Sequence, residues 1–394
     1  MFCCNWFYFS PLELFLAIML VLALIYQTYF YLRYMRVVLC RNKKKDKIAA
    51  QYTKDQLPVS VIIAARDESA NLREFLPEIL TQDYPIYEVI VVNDGADEDT
   101  EDLLDEYKQI YPHLRTTFVP QGAKNLSTKK LALTLGIKAA QHEWLLFTDA
   151  DCVPESKHWI AAMARNFTPE TEFVLGYGAY LQKDTFINRL ITYDALFHAL
   201  QYLGFAHTGK PYMGVGRNMA YRKEVFFRKN GFASTLHLQS GDDDLMVNSA
   251  ANNQNTRVET SLNSITWSIP KKNFRTWYFQ KERHLSVSTF YNVKSKFLLF
   301  VEPFTRLLFY ISFILLFALS LNAEHWYLTA IAWVLFLIRF FVQTIIINKT
   351  SRYYKGRKYY LTLLVFDMIL PVISAVIMTF GRMGSKSKYI NWKQ

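Results

Sequence analysis

Four long apolar runs, near the beginning and the end of the chain, constrain its fold more than any other feature. They span residues 10–32, 301–321, 326–347 and 360–380. A helix needs about 20 apolar residues to cross a bilayer, and each run is roughly that long. Residues 50–295 have the pattern of an ordinary soluble α/β sequence. We therefore predict an integral membrane protein with one sizeable aqueous domain.

The first apolar run predicts a membrane anchor rather than a cleavable signal peptide, because no basic segment precedes it and no small-x-small site follows it. Basic residues follow the run directly, namely Arg33, Arg36, Arg41, Lys43, Lys44, Lys45 and Lys47. By the positive-inside rule this flank is cytoplasmic. We therefore expect a multi-pass protein of the cell membrane whose aqueous domain lies in the cytoplasm.

The last apolar run leaves the topology open. Three spans after the aqueous domain would place the C-terminus outside, whereas Arg382, Lys386, Lys388 and Lys393 favour the inside. Either one run is re-entrant or interfacial, with Pro371 as the expected break, or the rule fails at the last helix. Asp367 lies within this run, where an acidic residue marks a functional or helix-pairing site.

Charge and cysteine content narrow the class of protein. The formal net charge is +11 and the pI is near 9.2, and much of the basic excess flanks apolar segments. We attribute it to the membrane surface and expect no nucleic-acid partner. The four cysteines have no zinc-site or disulfide-framework spacing, which fits a reduced compartment. Cys152, beside Asp151, is either a soft metal ligand or a small buried residue, and we favour the second.

Between the apolar runs, strand patterns alternate with helical stripes, and the first strand pattern is a β-branched run without charge. Predicted strands cover residues 59–64, 87–92, 114–119 and 143–148, and predicted helices cover 72–80 and 129–140. Such alternation indicates a doubly wound, mainly parallel sheet with ligands at the carboxyl ends of the strands. The first strand is not followed by G-x-G-x-x-G, and no P-loop motif is present. A dinucleotide-binding fold of that type and a P-loop ATPase are therefore not supported.

Asp149-Ala-Asp151 closes the fourth predicted strand. Residues two apart in an extended chain point to the same face, so both carboxylates emerge together at the end of the strand. Two hard oxygen ligands at this position are suited to holding Mg²⁺ or Mn²⁺ against a phosphate-bearing ligand. Alone, the triplet is weak evidence for a metal site, since most Asp-x-Asp triplets are solvated loop residues. The ordered series of motifs to which it belongs strengthens that evidence.

Five motifs occur in a recognisable order. They are residues 59–68 (VSVIIAARDE), 91–95 (VVNDG), 129–133 (KKLAL), 149–151 (DAD) and 241–245 (GDDDL). In this order they resemble a membrane-bound family 2 glycosyltransferase with a GT-A fold, the group that includes cellulose, chitin and hyaluronan synthases. The resemblance implies an α/β, GT-A-type, mainly parallel sheet domain over residues 55–295, ending in an interfacial segment at 271–300 and flanked by transmembrane helices.

The resemblance implies an inverting enzyme that moves a sugar from a nucleotide-diphosphate sugar to a hydroxyl acceptor. A UDP-sugar is the family's commonest donor, and a lipid-linked or growing glycan acceptor at the cytoplasmic membrane face fits the flanking helices. Asp151, with Asp149, would hold Mg²⁺ or Mn²⁺, which acts as a Lewis acid on the leaving diphosphate. The donor-side positions implied are Asp67, Glu68, Asp94, Lys129, Asp149 and Arg283.

Asp242 aligns with the catalytic base of the family, but Gly241 replaces the usual Glu. This departure leaves the base open between Asp242 and Asp243. A base is needed because an acceptor hydroxyl is a poor nucleophile until its proton is removed. The acidic run also suits a helix N-terminus, and both interpretations can hold at once.

The resemblance also implies an acceptor side. Its positions are Gly216, Asn218, Arg222, Gln280 and His284. The family usually has Asn-Glu where this chain has Asp67-Glu68, so contact of Asp67 with the nucleotide is open. The family usually has Trp where this chain has His284, so the synthesis of long chains is open as well. An amphipathic interfacial helix is the alternative interpretation of the segment around Gln280.

Two other functions remain open from the sequence. One is a non-catalytic membrane scaffold or sugar-nucleotide sensor that retains the fold. The other is a phosphoglycosyl transferase acting on polyprenyl phosphate, which would share the metal-binding carboxylates. Release of nucleoside diphosphate or monophosphate distinguishes sugar transfer from phosphosugar transfer.

Overall fold

The computed structural model describes residues 9–44, 50–95, 98–120 and 128–380. Several residues used in the sequence analysis lie outside the described residues, namely Cys3, Cys4, Lys45, Lys47 and the basic residues beyond 380. The side of the membrane on which the C-terminus lies therefore stays a prediction. The strands are β1 Val59–Ala65, β2 Tyr87–Asn93, β3 Leu114–Phe118, β4 Trp144–Asp149, β5 Cys152–Pro154, β6 Phe173–Leu175, β7 Gly178–Tyr180, β8 Met219–Arg222, β9 Thr256–Val258 and β10 Thr266–Ser268.

The helices follow the same chain order. They are α1 Pro11–Phe30, α2 Val37–Lys43, α3 Ser69–Leu80, α4 Glu98–Ile110, α5 Thr128–Ala139, α6 Trp159–Ala164, α7 Phe186–His207, α8 Lys223–Arg228, α9 Asp244–Ala250, α10 Phe274–Ser288, α11 Val293–Asn322, α12 Trp326–Tyr353 and α13 Tyr360–Phe380. A short π-helical turn, Tyr31–Met35, continues α1.

Among the described residues, seven strands form one sheet in the order β3-β2-β1-β4-β8-β6-β9, and β5-β10-β7 form a smaller one. β1 pairs in parallel with β2 and β4, and β2 in parallel with β3. β8 runs antiparallel between β4 and β6. The predicted mainly parallel α/β sheet is therefore confirmed. Its register sets Ala64 opposite Asp149 and Ala65 opposite Asn93, so β1, β2 and β4 end at one edge.

The inner strand β1 is uncharged and rich in β-branched residues. All seven residues of β1 are buried, which suits a strand covered on both faces. Leu72, Leu76 and Ile79 of α3 pack in the same core cluster as Val61 and Ile63. At the amino end of β4, Trp144 stacks on Phe167 with ring centroids 3.8 Å apart. This packing fixes the position of β4 within the sheet.

Four helices within the described residues are long and apolar enough to cross a membrane: Pro11–Met35, Val293–Asn322, Trp326–Tyr353 and Tyr360–Phe380. The second apolar run, predicted to start at residue 301, belongs to a helix that begins at Val293. The expected break at Pro371 is wrong, because α13 continues through it as one helix. Neighbouring helices can satisfy the backbone groups that a membrane proline frees.

Asp367 of α13 has partners on two other apolar helices. Its carboxylate accepts from Arg339 Nη2 at 2.7 Å, Tyr310 Oη at 2.7 Å and Gln343 Nε2 at 2.6 Å, and Arg306 Nη1 lies 3.3 Å away. Arg306 also pairs with Glu302 one turn earlier on α11. Two arginines and two acids therefore balance in charge, as a buried intramembrane set requires.

Candidate active site

Polar side chains converge where β1, β2 and β4 end. Asp94 directly follows β2, and its backbone N–H donates to the carbonyl of Ala65 at 2.7 Å. Its side chain is only 5% exposed and lies 3.9 Å from the Arg66 guanidinium. The carboxyl edge of the sheet thus holds Asp94 and Asp149 on strands that flank β1, as the parallel register requires.

Asp67 packs against the loop after β2 rather than starting α3. It has a left-handed backbone, with φ at 47°. A Cβ on Gly95 would lie 2.6 Å from Asp67 Oδ1 and 3.2 Å from the Asp67 backbone N, so the two loops approach each other closely there. Glu68 instead accepts from Asn71 Nδ2. The N-cap of α3 is Glu68 rather than Asp67.

Asp149 and Asp151 face a common space at the end of β4. Together with Cys152 they offer ligand atoms that all lie within 4.8 Å of one another. Asp151 also accepts from Ser268 Oγ at 3.2 Å. Burial and the charge of Asp149 raise the pKa of Asp151 above 3.8. A divalent cation would relieve this repulsion, and two carboxylates are the donors that Mg²⁺ or Mn²⁺ prefers.

Cys152 fits a packing role better than a ligand role. Its side chain is buried, and burial with the nearby Asp151 carboxylate raises the pKa of the thiol well above 9.0. A thiolate would be needed to bind metal. The donor set that fits a hard cation is therefore the pair of carboxylates, Asp149 and Asp151.

Lys129 joins two parts of the site. Its Nζ donates to Asp149 Oδ1 at 2.9 Å and lies 4.0 Å from Asp242 Oδ2. Desolvation alone would lower the pKa of Lys129, but the carboxylates of Asp149 and Asp242 raise it above 10.5, so it stays an ammonium. The same ammonium keeps the pKa of Asp149 below 3.8 against the effect of burial. The Asp149 side chain remains 35% exposed and so accessible to a ligand.

The turn at Gly241 introduces three consecutive acids with different surroundings. Gly241 has φ at +89°, and a Cβ there would lie 2.9 Å from side-chain atoms of Leu245 and Val287. This explains the absence of the usual Glu, since only glycine adopts that backbone without strain. Asp244 is buried and accepts from Tyr291 Oη at 2.9 Å. Burial and Asp243 raise its pKa well above 3.8.

Asp243 is held by the backbone. It accepts from the Gly216 N–H at 2.6 Å and from the Asp244 N–H at 2.8 Å, the latter as the N-cap of α9. Burial and the neighbouring Asp242 raise the pKa of Asp243 to about 6. Asp242 is 8% exposed and, among the described residues, accepts no such backbone hydrogen bond. Gly216 therefore lies at the acidic cluster through its backbone.

Arg217 is a positive group that the sequence analysis missed. Its guanidinium lies 4.2 Å from the ring centre of Tyr180 and donates twice to the carbonyl of Gly178, at 2.8 and 3.1 Å. Its charge acts on both Asp149 and Asp151, lowering the pKa of each. The only signal in the sequence was its position in the glycine-rich segment beside Asn218.

Helix α10 brings three predicted positions toward this region. Gln280 Nε2 donates to Tyr180 Oη at 3.1 Å, which places it beside the Arg217–Tyr180 pair. Arg283 acts on Asp149 by charge, lowering its pKa. His284 follows Arg283 directly on this helix and has an exposed side chain.

An ion pair anchors α10. Lys281 is buried, and its Nζ donates to both oxygens of Asp194 on α7, at 2.8 and 2.9 Å. His198 lies 3.3 Å from the same carboxylate. The pair fixes the rotation of α10 and thereby the side on which Gln280 and Arg283 emerge. No sequence motif marks Asp194.

Two predicted acceptor-side residues are not brought to the cluster. Asn218 is fully buried, and its side chain bonds to Trp159 Nε1 and to the carbonyls of Tyr177 and Ser264. Arg222 pairs with Trp144 at the amino end of β4, the opposite edge of the sheet from Asp149. It bonds there to Glu143 and to backbone carbonyls. Both side chains are used in packing, and we correct their assignment to the acceptor side.

Comparison with known proteins identifies the sheet domain. Residues 60–227 match the model of the family described as glycosyl transferase family 2. The chain carries a family 2 glycosyltransferase domain. The resemblance drawn from the five motifs and the prediction of an enzyme are thereby confirmed. The matched residues end before Asp242 and α10, which the family model does not cover.

Relatives and solved structures agree with this glycosyltransferase domain. Poly-beta-1,6-N-acetyl-D-glucosamine synthase of Staphylococcus epidermidis is 31% identical over 96 residues, which is 24% of this chain and 22% of that protein. The probable glycosyltransferase YdaM of Bacillus subtilis is 24% identical over 75% of this chain and 76% of that protein. The match thus spans about a fifth of the synthase.

The mannosyltransferase PcManGT of Pyrobaculum calidifontis, solved with GDP-Man and Mn²⁺, shares the fold of the chain. Its TM-score is 0.56 at 18% identity, covering 94% of this chain and 99% of that one. The likeness covers nearly the whole of both chains. At this identity it establishes the fold and leaves donor and acceptor to be argued from the residues.

Proposed function

We propose that the protein is an inverting glycosyltransferase that moves a sugar from a nucleotide-diphosphate sugar to a hydroxyl acceptor. The observation that carries the proposal is the bridge made by Lys129. Its ammonium lies 2.9 Å from Asp149 and 4.0 Å from Asp242, which joins the end of β4 to the acids before α9. The proposed donor-binding carboxylate and the candidate base therefore lie close together at one edge of the sheet.

Donor binding is assigned to the edge formed by β1, β2 and β4. The buried Asp94 carboxylate suits an N–H or hydroxyl of the nucleoside, and Lys129, Arg217 and Arg283 supply positive charge for the diphosphate. Asp149 and Asp151 would hold Mg²⁺ or Mn²⁺, which when bound supplies Lewis-acid stabilisation of the leaving diphosphate. The complex of PcManGT with GDP-Man and Mn²⁺ supports this assignment by analogy.

Asp242 is our assignment for the general base. Both Asp243 and Asp244 are engaged, Asp243 with two backbone N–H groups and Asp244 with Tyr291. Asp242 would take the proton of the acceptor hydroxyl as its oxygen bonds to the anomeric carbon and the bond to the diphosphate breaks. A single displacement of this kind inverts the configuration at that carbon.

The acceptor is assigned by the character of the chain. Four helices suited to a membrane fit a lipid-linked or growing glycan acceptor at the cytoplasmic face. The relation to poly-beta-1,6-N-acetyl-D-glucosamine synthase favours a product that contains N-acetyl-D-glucosamine. A UDP-sugar is the proposed donor because it is the commonest donor of the resembled family. Gly216, Gln280 and His284 line the side from which such an acceptor would approach Asp242.

Release of nucleoside diphosphate tests the proposal. Purified, detergent-solubilised protein is offered a panel of UDP- and GDP-sugars with Mn²⁺ or Mg²⁺, beside Asp151→Ala. We expect diphosphate release from one donor and its loss in the variant. Release of monophosphate would instead identify a phosphoglycosyl transferase. Metal-dependent donor binding without release indicates a missing acceptor, and absence of both binding and release would leave a non-catalytic scaffold.

A further inference from the structure

Lys130, which the mechanism above does not use, is held in a site built for an ammonium group. Its side chain is fully buried. Its Nζ donates to the carbonyl oxygens of Thr235, Leu238 and Ser240 at 2.7, 3.0 and 2.9 Å. Three acceptors match the three N–H groups of an ammonium. All three come from one loop more than 100 residues further along the chain.

That loop leads directly to the acidic cluster. It follows α8, makes a short 3₁₀ turn at Ala233–Thr235, and ends at Gly241 with its left-handed backbone. Ser240, the last of the three acceptors, lies two residues before Asp242. A shift of the loop would therefore move Asp242 before it moved anything in the sheet.

The first turn of α5 makes hydrogen bonds to two parts of the site. Lys129 bonds to Asp149 at the end of β4, and Lys130 bonds to the loop that presents Asp242. Two adjacent residues of one helix thus connect the donor-side carboxylate with the candidate base. The charge of Lys130 also acts on Asp242 and Asp243.

We propose that Lys130 is a positioning residue that sets the place of Asp242 relative to Asp149 by clamping residues 235–240. This inference rests on the proposed function. Burial lowers the pKa of Lys130 to about 8, so keeping the ammonium in this place is costly at neutral pH. A purely apolar side chain would fill the same volume without that cost, which indicates that the three bonds are the purpose of the lysine.

Steady-state kinetics of Lys130→Met test the positioning role. We expect kcat for transfer to fall on the order of 100-fold, the effect of displacing a catalytic group by about 1 Å, while donor affinity stays within about 2-fold. Lys130→Gln keeps an amide N–H donor, and its kcat should lie between those of Lys130→Met and the wild type. Lys223→Met is the matched control, because Lys223 also donates to a backbone carbonyl, that of Ala140, at the opposite edge of the sheet.

Hydrogen–deuterium exchange separates this role from the proposed function, because it needs no donor. The amides of Thr235 and Leu238 are hydrogen-bonded in the loop. They should exchange faster in Lys130→Met and in Lys130→Gln, while the amides of β4 do not. Unchanged loop exchange overturns the clamp even if no donor is turned over. Unchanged kcat in the folded variants, or an equal loss of donor affinity and kcat, overturns the positioning of Asp242.

Discussion

At the scale of single residues, the chemistry depends on which of three adjacent carboxylates is available. Asp243 is fixed by the Gly216 and Asp244 N–H groups, and Asp244 by Tyr291. Asp242 faces the Lys129 ammonium at 4.0 Å. A base must reach the acceptor hydroxyl, and a carboxylate that already accepts two backbone bonds is poorly placed to do so. The difference between these neighbours arises from the turn at Gly241.

Asp242→Asn should therefore abolish proton removal while leaving the donor site intact. We expect kcat to fall about 10²- to 10⁴-fold with little change in donor affinity. The measurement is nucleoside-diphosphate release beside donor binding in the same preparation. Asp243→Asn is the matched comparison and should cost less activity but more thermal stability, because an amide accepts more weakly from the Gly216 N–H. The opposite ranking of the two variants would place the base at Asp243.

At the scale of elements, Glu259 ties the end of α6 to the segment after β9. It accepts from the Arg165 guanidinium at 2.9 and 2.7 Å and from Asn166 Nδ2 at 2.7 Å. The N–H groups of Thr260 and Ser261 each donate to it at 2.8 Å. Burial alone would raise the pKa of Glu259, but these donors, led by Arg165, hold it below 4.5. The carboxylate is therefore a buried junction between two elements.

This junction predicts a pH dependence of stability. Because the pKa of Glu259 is lower in the folded chain than in the unfolded chain, its contribution is complete above pH 4.5 and is lost as the pH falls through the folded-state pKa. Glu259→Gln should lose about 2 to 3 kcal/mol of unfolding free energy at pH 7, between the exposed and buried limits for an ion pair. Thermal unfolding measured from pH 7 to 3 checks both points.

Glu143→Gln provides the control for that series. Glu143 also pairs with an arginine, Arg222, but its side chain is 55% exposed. Its loss should cost less than about 1 kcal/mol of unfolding free energy and leave the decrease in stability at acid pH unchanged. If both variants shift the unfolding midpoint equally at every pH, the buried network of Glu259 has no special role.

The elements themselves were largely predictable from the sequence. Predominantly apolar runs indicated β1, β2 and β4, and the parallel order predicted for them places Asp94 and Asp149 at one edge. Contacts between distant segments were not predictable in the same way. Lys130 meets its loop across more than 100 residues, and Lys281 meets Asp194 across 87, without any periodic signal. Asn218 was misassigned for the same reason, since its motif position does not show what its amide contacts.

At the scale of the whole molecule, the chain must place charged groups among helices suited to a bilayer. Asp367 was recognisable from the sequence as a functional or pairing site, but its partners depend on how four helices pack. Gln27 of α1 joins the set by accepting from Arg339 Nη2 at 3.1 Å and donating to the carbonyl of Glu302 at 3.1 Å. A balanced set of charges on three helices, together with the neutral amide of Gln27 on the fourth, specifies one packing arrangement among many apolar alternatives.

Removing one partner of this set should destabilise the helices more than removing two. Asp367→Leu leaves Arg339 without its carboxylate, and we expect a loss of about 3 kcal/mol in the free energy of unfolding. Asp367→Leu combined with Arg339→Leu should recover most of it, because no charge is then left uncompensated. The double-mutant cycle is measured by unfolding in mixed micelles. Thr329→Val, which removes a neutral bond to Ser320, should cost only about 0.6 kcal/mol. Additive losses at positions 367 and 339 would show that the two charges are not coupled, and the set would then be a collection of separate hydrogen bonds.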